Sequence, residues 1–152
     1  MYFYNLIKNL TKDKKTVIYC DMDGVIAAYD FGKPLEFDKK RPLYTNIKKL
    51  EEVSKLDNIE LRILSACRIE SQIDEKNEWL DKYAPFFTKE NRHILAREKY
   101  NFIESSEMKA MYLEQLNDKE QVIVLDDDNV VLRTIHKKLE HIICIQDSEM
   151  ID

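Results

Sequence analysis

Two carboxylates one residue apart, Asp21 and Asp23, follow the apolar run Val17-Ile18-Tyr19-Cys20 and precede Gly24, one of only two glycines in the chain. Aspartate is poor in strand interiors, so two at a strand's end mark a site. A tight turn through Met22 and Gly24 can aim both at one ligand, because glycine adopts backbone torsions closed to other residues. A second acidic group, Asp126, Asp127 and Asp128, follows Val122-Ile123-Val124-Leu125 and leads into Asn129. Helix capping accounts for Asp128 or Asn129, but not for three consecutive acids. If Asp21, Asp23, Asp126 and Asp127 share one crevice, each pair at about 4 Å repels by about 4 kcal/mol at an effective dielectric of about 20. A hard divalent cation removes that conflict. Magnesium uses one or two carboxylates with waters and substrate phosphate, whereas calcium needs more protein oxygens and a dedicated loop. The expected ion is therefore magnesium (Mg2+), held by Asp21, Asp23, Asp126 and Asp127, and the expected chemistry is phosphoryl transfer.

Residues able to bind a phosphoryl group stand between the two acidic groups. Ser65 closes a strand read over Leu61-Arg62-Ile63-Leu64, and its hydroxyl and the amide of Ala66 can hydrogen-bond phosphoryl oxygens. Taken alone, such a serine is more often satisfied by backbone. Lys109, placed in the first turn of a helix ahead of the strand leading to Asp126, can neutralise both phosphate and nucleophile; Arg97 and Lys99 compete from the preceding loop. Arg68 can touch substrate phosphate or remain a surface residue. Lys39-Lys40-Arg41 reads as a solvated loop, or as a basic patch steering a phosphorylated substrate. Tyr29 and Phe31 can stack on a base or pack over the site. Three cysteines form an odd set without metal-ligand spacing; Cys20 and Cys144 read as core, and Cys67 as inert packing near the site. His93, His136 and His141 lack ligand spacing and read as surface or capping residues.

These side chains need a scaffold that brings distant segments together. Five short apolar runs, Thr16–Cys20, Ile59–Leu64, Arg92–Ala96, Gln121–Leu125 and His141–Ile145, alternate with helical patterns. That alternation predicts a doubly wound α/β sandwich on a five-stranded, mainly parallel sheet. In such sheets ligands collect beyond the carboxyl ends of the strands, where every candidate above falls. Helical stripes run from Tyr44 to Leu56, from a capping-box-like Ser71-Gln72-Ile73-Asp74 to a stop at Pro85, through Met108, Tyr112 and Leu116, and through Val131, Ile135 and Leu139. Tyr2, Phe3, Leu6, Ile7 and Leu10 predict a short N-terminal amphipathic helix packed on the body.

The 152 residues fit one domain. No apolar run reaches the roughly 18–20 residues a bilayer requires, and residues 1–15 lack the pattern of a secretory signal, so a cytoplasmic location is expected. A net charge of −5 gives no general attraction to nucleic acid or to an anionic membrane, although a local basic patch is compatible with it.

The order Asp-x-Asp-Gly, serine, lysine, Asp-Asp, each after an apolar strand or opening a helix, resembles the haloacid dehalogenase-like (HAD) superfamily over residues 16–145. The resemblance implies a Rossmann-like sheet with Asp21 as nucleophile and Asp23 as general acid/base. It implies Ser65 as phosphate ligand, Lys109 as stabiliser of the charged centre, and Asp126 and Asp127 as magnesium ligands. An aspartate two places after the nucleophile marks the superfamily's phosphatases and phosphotransferases. Asp23 must then spend time protonated, and surrounding negative charge is expected to raise its pKa. The intervals after Asp23 and after Ser65 hold a flap (Tyr29, Phe31, Gly32, Pro34, Phe37) and helices, not a full cap domain. The layout around Glu75–Leu80 is more loosely similar to 5′(3′)-deoxyribonucleotidase-like members. The expected activity is a magnesium-dependent phosphomonoesterase acting through an aspartyl-phosphate on a nucleotide or other small phosphorylated metabolite. The alternatives are a phosphatase of a polynucleotide end or phosphoprotein, and a non-catalytic phosphate-binding module. A signalling receiver domain, which uses similar groups, has its acidic pair at the first strand and its lysine after it, the reverse of the order here.

Overall fold

The computed structural model describes residues 2–29 and 36–151. Five strands, β1 (Thr16–Cys20), β2 (Ile59–Cys67), β3 (Arg92–Ala96), β4 (Gln121–Asp126) and β5 (Ile143–Gln146), form one sheet in the order β3-β2-β1-β4-β5. All four pairings are parallel. The helices are α1 (Tyr2–Leu10), α2 (Tyr44–Ser54), α3 (Ser71–Tyr83), α4 (Ser105–Leu116) and α5 (Asn129–Lys138).

A parallel sheet must be covered on both faces, so its strands read as continuous apolar runs, and every residue of β1 is buried. Alternate residues then divide between two cores. Ile18 and Cys20 face Phe3 and Ile7 of α1, Leu50 of α2 and Trp79 of α3. Val17 and Tyr19 face Met108 and Leu113 of α4 and Val131 and Ile135 of α5. The doubly wound architecture predicted from the sequence is the one observed, and no helix among the described residues is long and apolar enough to cross a membrane.

Three local readings need correction. Strand β2 does not end before Ser65: it continues to Cys67, because β3 pairs with its far half, Ser65 beside Ile94 and Cys67 beside Ala96. Strand β5 begins at Ile143 rather than His141, because the chain turns after α5 with the Ile142 amide donating to Leu139 O. Helix α3 starts at Ser71 as expected, but the serine hydroxyl makes no cap. Gln72 Oε1 accepts from the amides of Arg68 (2.9 Å) and Ile69 (3.2 Å) instead. Side-chain caps stabilise by about 1 kcal/mol, so Gln72→Ala is expected to lose about that much in urea unfolding while Ser71→Ala stays near neutral. The reverse order would contradict this assignment.

Candidate functional site

Strands β1 and β4 are neighbours in register, Cys20 beside Leu125. The residues that follow, Asp21 and Asp126, therefore emerge together at the carboxyl edge. The Asp21 amide donates to Leu125 O at 3.0 Å, which fixes the spacing. Each of Asp21, Asp126 and Asp127 offers an oxygen within 4.8 Å of the others. Asp21 and Asp126 are buried. Lys109, also buried, answers part of this charge: its Nζ lies 2.7 Å from Asp126 Oδ2 and 3.3 Å from Asp21 Oδ1. It sits at the fifth position of α4, a turn deeper than the sequence suggested. Arg97 instead donates to the carbonyls of Phe102 and Ile103, and Lys99 pairs with Glu70 at 2.8 Å. Of the three competing cations, Lys109 is the one that reaches the carboxylates.

One lysine does not balance two buried carboxylates and a half-buried third. Burial pushes Asp21 up to about 7 although Lys109 opposes it, and burial pushes Asp127 up to about 6. Asp126 is shifted upward for the same reason. Burial works against the charge of Lys109, but Asp21 and Asp126 overcome it and raise its pKa. Asp127 Oδ1 is buried with no hydrogen-bond partner, while the same carboxylate accepts from the Tyr29 hydroxyl. An orphaned carboxylate oxygen beside two further carboxylates is the donor set a hard divalent cation requires. Asp128 is not part of it: it caps α5, its Oδ1 accepting from the Val130 amide at 2.8 Å, and its own amide donates to Asp126 Oδ1 at 3.0 Å.

Gly24 makes room for this group. Its φ is +80°, in a turn where Met22 O accepts from the amides of Val25, Ile26 and Ala27. A Cβ on Gly24 would lie 2.2 Å from Asp127 Oδ2 and 2.8 Å from the Tyr29 ring. The glycine foreseen as a turn residue is thus also a close-approach residue.

Asp23 corrects a central expectation. Its carboxylate stands apart from the other three and forms ion pairs with Lys40 and, at 3.2 Å, with Lys76. Burial favours its neutral form, but Lys76 and Lys40 outweigh that and hold its pKa below the ordinary carboxylate value. The neighbouring negative charge does not prevail, because two ammonium groups are nearer. By geometry the metal-type group is the three carboxylates of Asp21, Asp126 and Asp127.

Lys76 is the residue the sequence reading missed, and Lys40, read there as solvated or substrate-steering, instead turns inward to Asp23. Lys76 Nζ donates to Ser65 Oγ at 2.7 Å and to Ala66 O at 2.9 Å, as well as to Asp23. It occupies the buried stripe of α3 with Gln72, Trp79 and Leu80. A lysine at a core-facing helical position was the available signal. Lys40 is held inward because Trp79 Nε1 donates to its carbonyl at 3.0 Å, and both ammonium groups lie within 5 Å of the Phe37 ring centroid.

These groups line an open cleft of about 630 Å³. Ala66, Arg68 and Tyr29 line it too, whereas Ser65 is fully buried beneath Lys76. Cys67 also lines it, and burial raises its thiol pKa, which lowers the share of reactive thiolate. The flap positions Phe31, Gly32 and Pro34 lie outside the described residues. His93 is not a surface residue: it is half-buried, with Nδ1 2.5 Å from Tyr112 Oη.

No family model matches the chain, and no curated protein matches it. Solved structures do. A chain of a structure of a Pnkp1/Rnl/Hen1 complex superposes with a TM-score of 0.67 at 17% identity, over 89% of this chain and 46% of that one. A chain of the Pnkp1/Rnl/Hen1 RNA repair complex gives a TM-score of 0.66 at 17% identity, over 89% of this chain and 43% of the other. This chain therefore spans less than half the length of those it matches, and identity at this level shows a shared fold.

The raised carboxylates set a pH dependence. Asp21 and Asp127 titrate at about 7 and about 6 when folded, against 3.8 ordinarily. The metal-free protein thus loses stability as pH rises through that interval. A divalent cation held by the trio would bind its deprotonated form, so the gain in Tm with magnesium over chelator should widen from about pH 5 to about pH 7.5. Gly24→Ala, strained by about 1–3 kcal/mol from its φ alone, should abolish the gain. A gain independent of pH, or one retained in Gly24→Ala, would contradict the trio.

Proposed function

We propose that this chain is a metal-dependent phosphatase that removes phosphate from the end of a polynucleotide through an aspartyl-phosphate on Asp21. The observation that carries the reading is the placement of Asp21 at the floor of an open cleft. Lys109, Asp126 and Asp127 line it beside Asp21, as do Asp23 and Lys76, the latter bonded to the buried Ser65. The motif order that resembles haloacid dehalogenase-like phosphatases supports the reaction class. Likeness in fold to chains of an RNA repair complex, with the openness of the cleft, supports a polynucleotide end over the small metabolite expected from sequence.

A divalent ion held by Asp21, Asp126 and Asp127 would offset charge on the phosphoryl oxygens. The chain's own residues supply the rest. Asp21 Oδ attacks phosphorus, the bond to the ester oxygen breaks, and the leaving oxygen takes a proton from Asp23. In the resting site Lys40 and Lys76 keep Asp23 ionised. A phosphate dianion competes for the same ammonium groups, which frees Asp23 to hold a proton. Asp23 then takes a proton from water as that water hydrolyses the acyl phosphate, releasing phosphate and restoring Asp21. Lys109 favours the anionic form of Asp21 that attack requires, against the burial that opposes it.

The test is a phosphate-release screen over 3′- and 5′-phosphorylated oligonucleotides, mononucleotides and an aryl phosphate, with magnesium or chelator. Terminal phosphate on oligonucleotides should give the highest kcat/KM. Asp21→Asn should lower the rate on every substrate by at least about 10³-fold, and Lys76→Met should cost about 10²-fold. Near-native turnover in Asp21→Asn would sink the mechanism, and a clear preference for mononucleotides would sink the substrate class.

A further inference from the structure

We propose that the surface formed by Arg41 and Tyr44, running outward from Lys40, is the track along which a single-stranded polynucleotide leaves the cleft. This deepens the proposed function, on which it rests for the identity of the bound end. Residues 36–49 carry five lysine or arginine residues and two carboxylates, a local charge of +3, so the rest of the chain carries −8. The basic stretch is thus a departure from the acidic background, and it begins inside the site.

Side chains alternate along it. Lys40 turns inward to Asp23 and is buried, whereas Lys39, paired with Glu36 at 3.6 Å, and Arg41 are exposed on either side. Tyr44 follows three residues after Arg41 at 67% exposure, and Lys48, one helical turn on, is exposed as well. From Lys40 to Tyr44 the chain spans about 13 Å at most, so the tyrosine lies within a few nucleotides' reach of the cleft. Cation and exposed aromatic in alternation is the surface that single strands use: phosphates pair with the cations and bases stack on the rings, with little dependence on sequence.

The track is also preorganised. Ala28 N donates to Arg41 O (2.9 Å), Leu43 N to Ile26 O (2.8 Å) and Asn46 Nδ2 to Val25 O (2.8 Å). The segment is therefore laced to the Asp23–Gly24 turn, whose position sets the site. Tyr44 stands edge-on to Tyr83, ring centroids 6.3 Å apart, and Tyr83 packs on Trp79 at 5.0 Å. A cavity of about 350 Å³ lined by Arg41, Tyr44 and Asn46 adjoins this pair. Charge and continuity with the cleft both point to a strand of nucleic acid as its occupant.

The test measures fluorescence anisotropy of a dye-labelled eight-nucleotide RNA carrying a terminal phosphate, and turnover of an aryl phosphate alongside. Tyr44→Ala should weaken RNA binding by about 5- to 150-fold, the range for losing one stacked base. Arg41→Glu should weaken it and reduce the slope of log affinity against log salt by about 0.7. Lys119→Glu, exposed in the loop before β4 at the opposite end of the sheet, should bind like wild type. Aryl phosphate turnover should be unchanged in all three. Equal RNA affinity in all variants, or equal weakening by Lys119→Glu, overturns the track. If the binding pattern holds while no phosphate is released from any substrate, the track stands and the proposed reaction falls.

Discussion

Two buried carboxylates and a half-buried third, forced together at the edge of two adjacent strands, are the constraint around which this site is arranged. Parallel pairing of β1 with β4 leaves Asp21 and Asp126 no choice but to emerge side by side, and Asp127 follows in the chain. At an effective dielectric of about 20, each close pair costs about 4 kcal/mol. One buried lysine offsets only part of it. Burial, with this repulsion added, shifts all three carboxyls upward, and one carboxylate oxygen is left without a donor. A fold tolerates such an arrangement when the deficit is met by something that binds.

The fourth carboxylate shows how environment divides like residues between tasks. Asp21 and Asp23 are two positions apart, yet burial lifts one while two lysines depress the other. Both shifts are set by the chain's own side chains. A cation beside Asp21 lowers its pKa, and an anion beside Lys40 and Lys76 relieves Asp23 of its ion pairs. The nucleophile and proton-donor roles proposed for Asp21 and Asp23 would therefore require both ligands to be present, which would couple metal and substrate in one cycle.

The sheet, its parallel sense and the end at which the acids gather were legible in the sequence because buried strands and amphipathic helices leave periodic patterns. Gly24 was legible as a turn residue, but its contact distance to Asp127 was not, since the two are a hundred residues apart. The extension of β2 past Ser65 was hidden because Ala66 and Cys67 suit a strand or a loop equally. Lys76 was missed, and the inward turn of Lys40 unforeseen, for a different reason. Lysine is ordinarily solvated, and only the company of Trp79 and Leu80 on one helical stripe marked Lys76 as buried. Their pairing with Asp23 then reversed the direction expected for its pKa, which depends on the nearest charges and not on the sum over the site.

Anomalous diffraction from crystals grown with manganese in place of magnesium tests the central claim most directly. One manganese peak is expected, touched by carboxylate oxygens of Asp21, Asp126 and Asp127, with the Asp23 carboxylate still turned toward Lys40 and Lys76. A peak bound elsewhere, or no peak at the trio at saturating manganese near neutral pH, would contradict it.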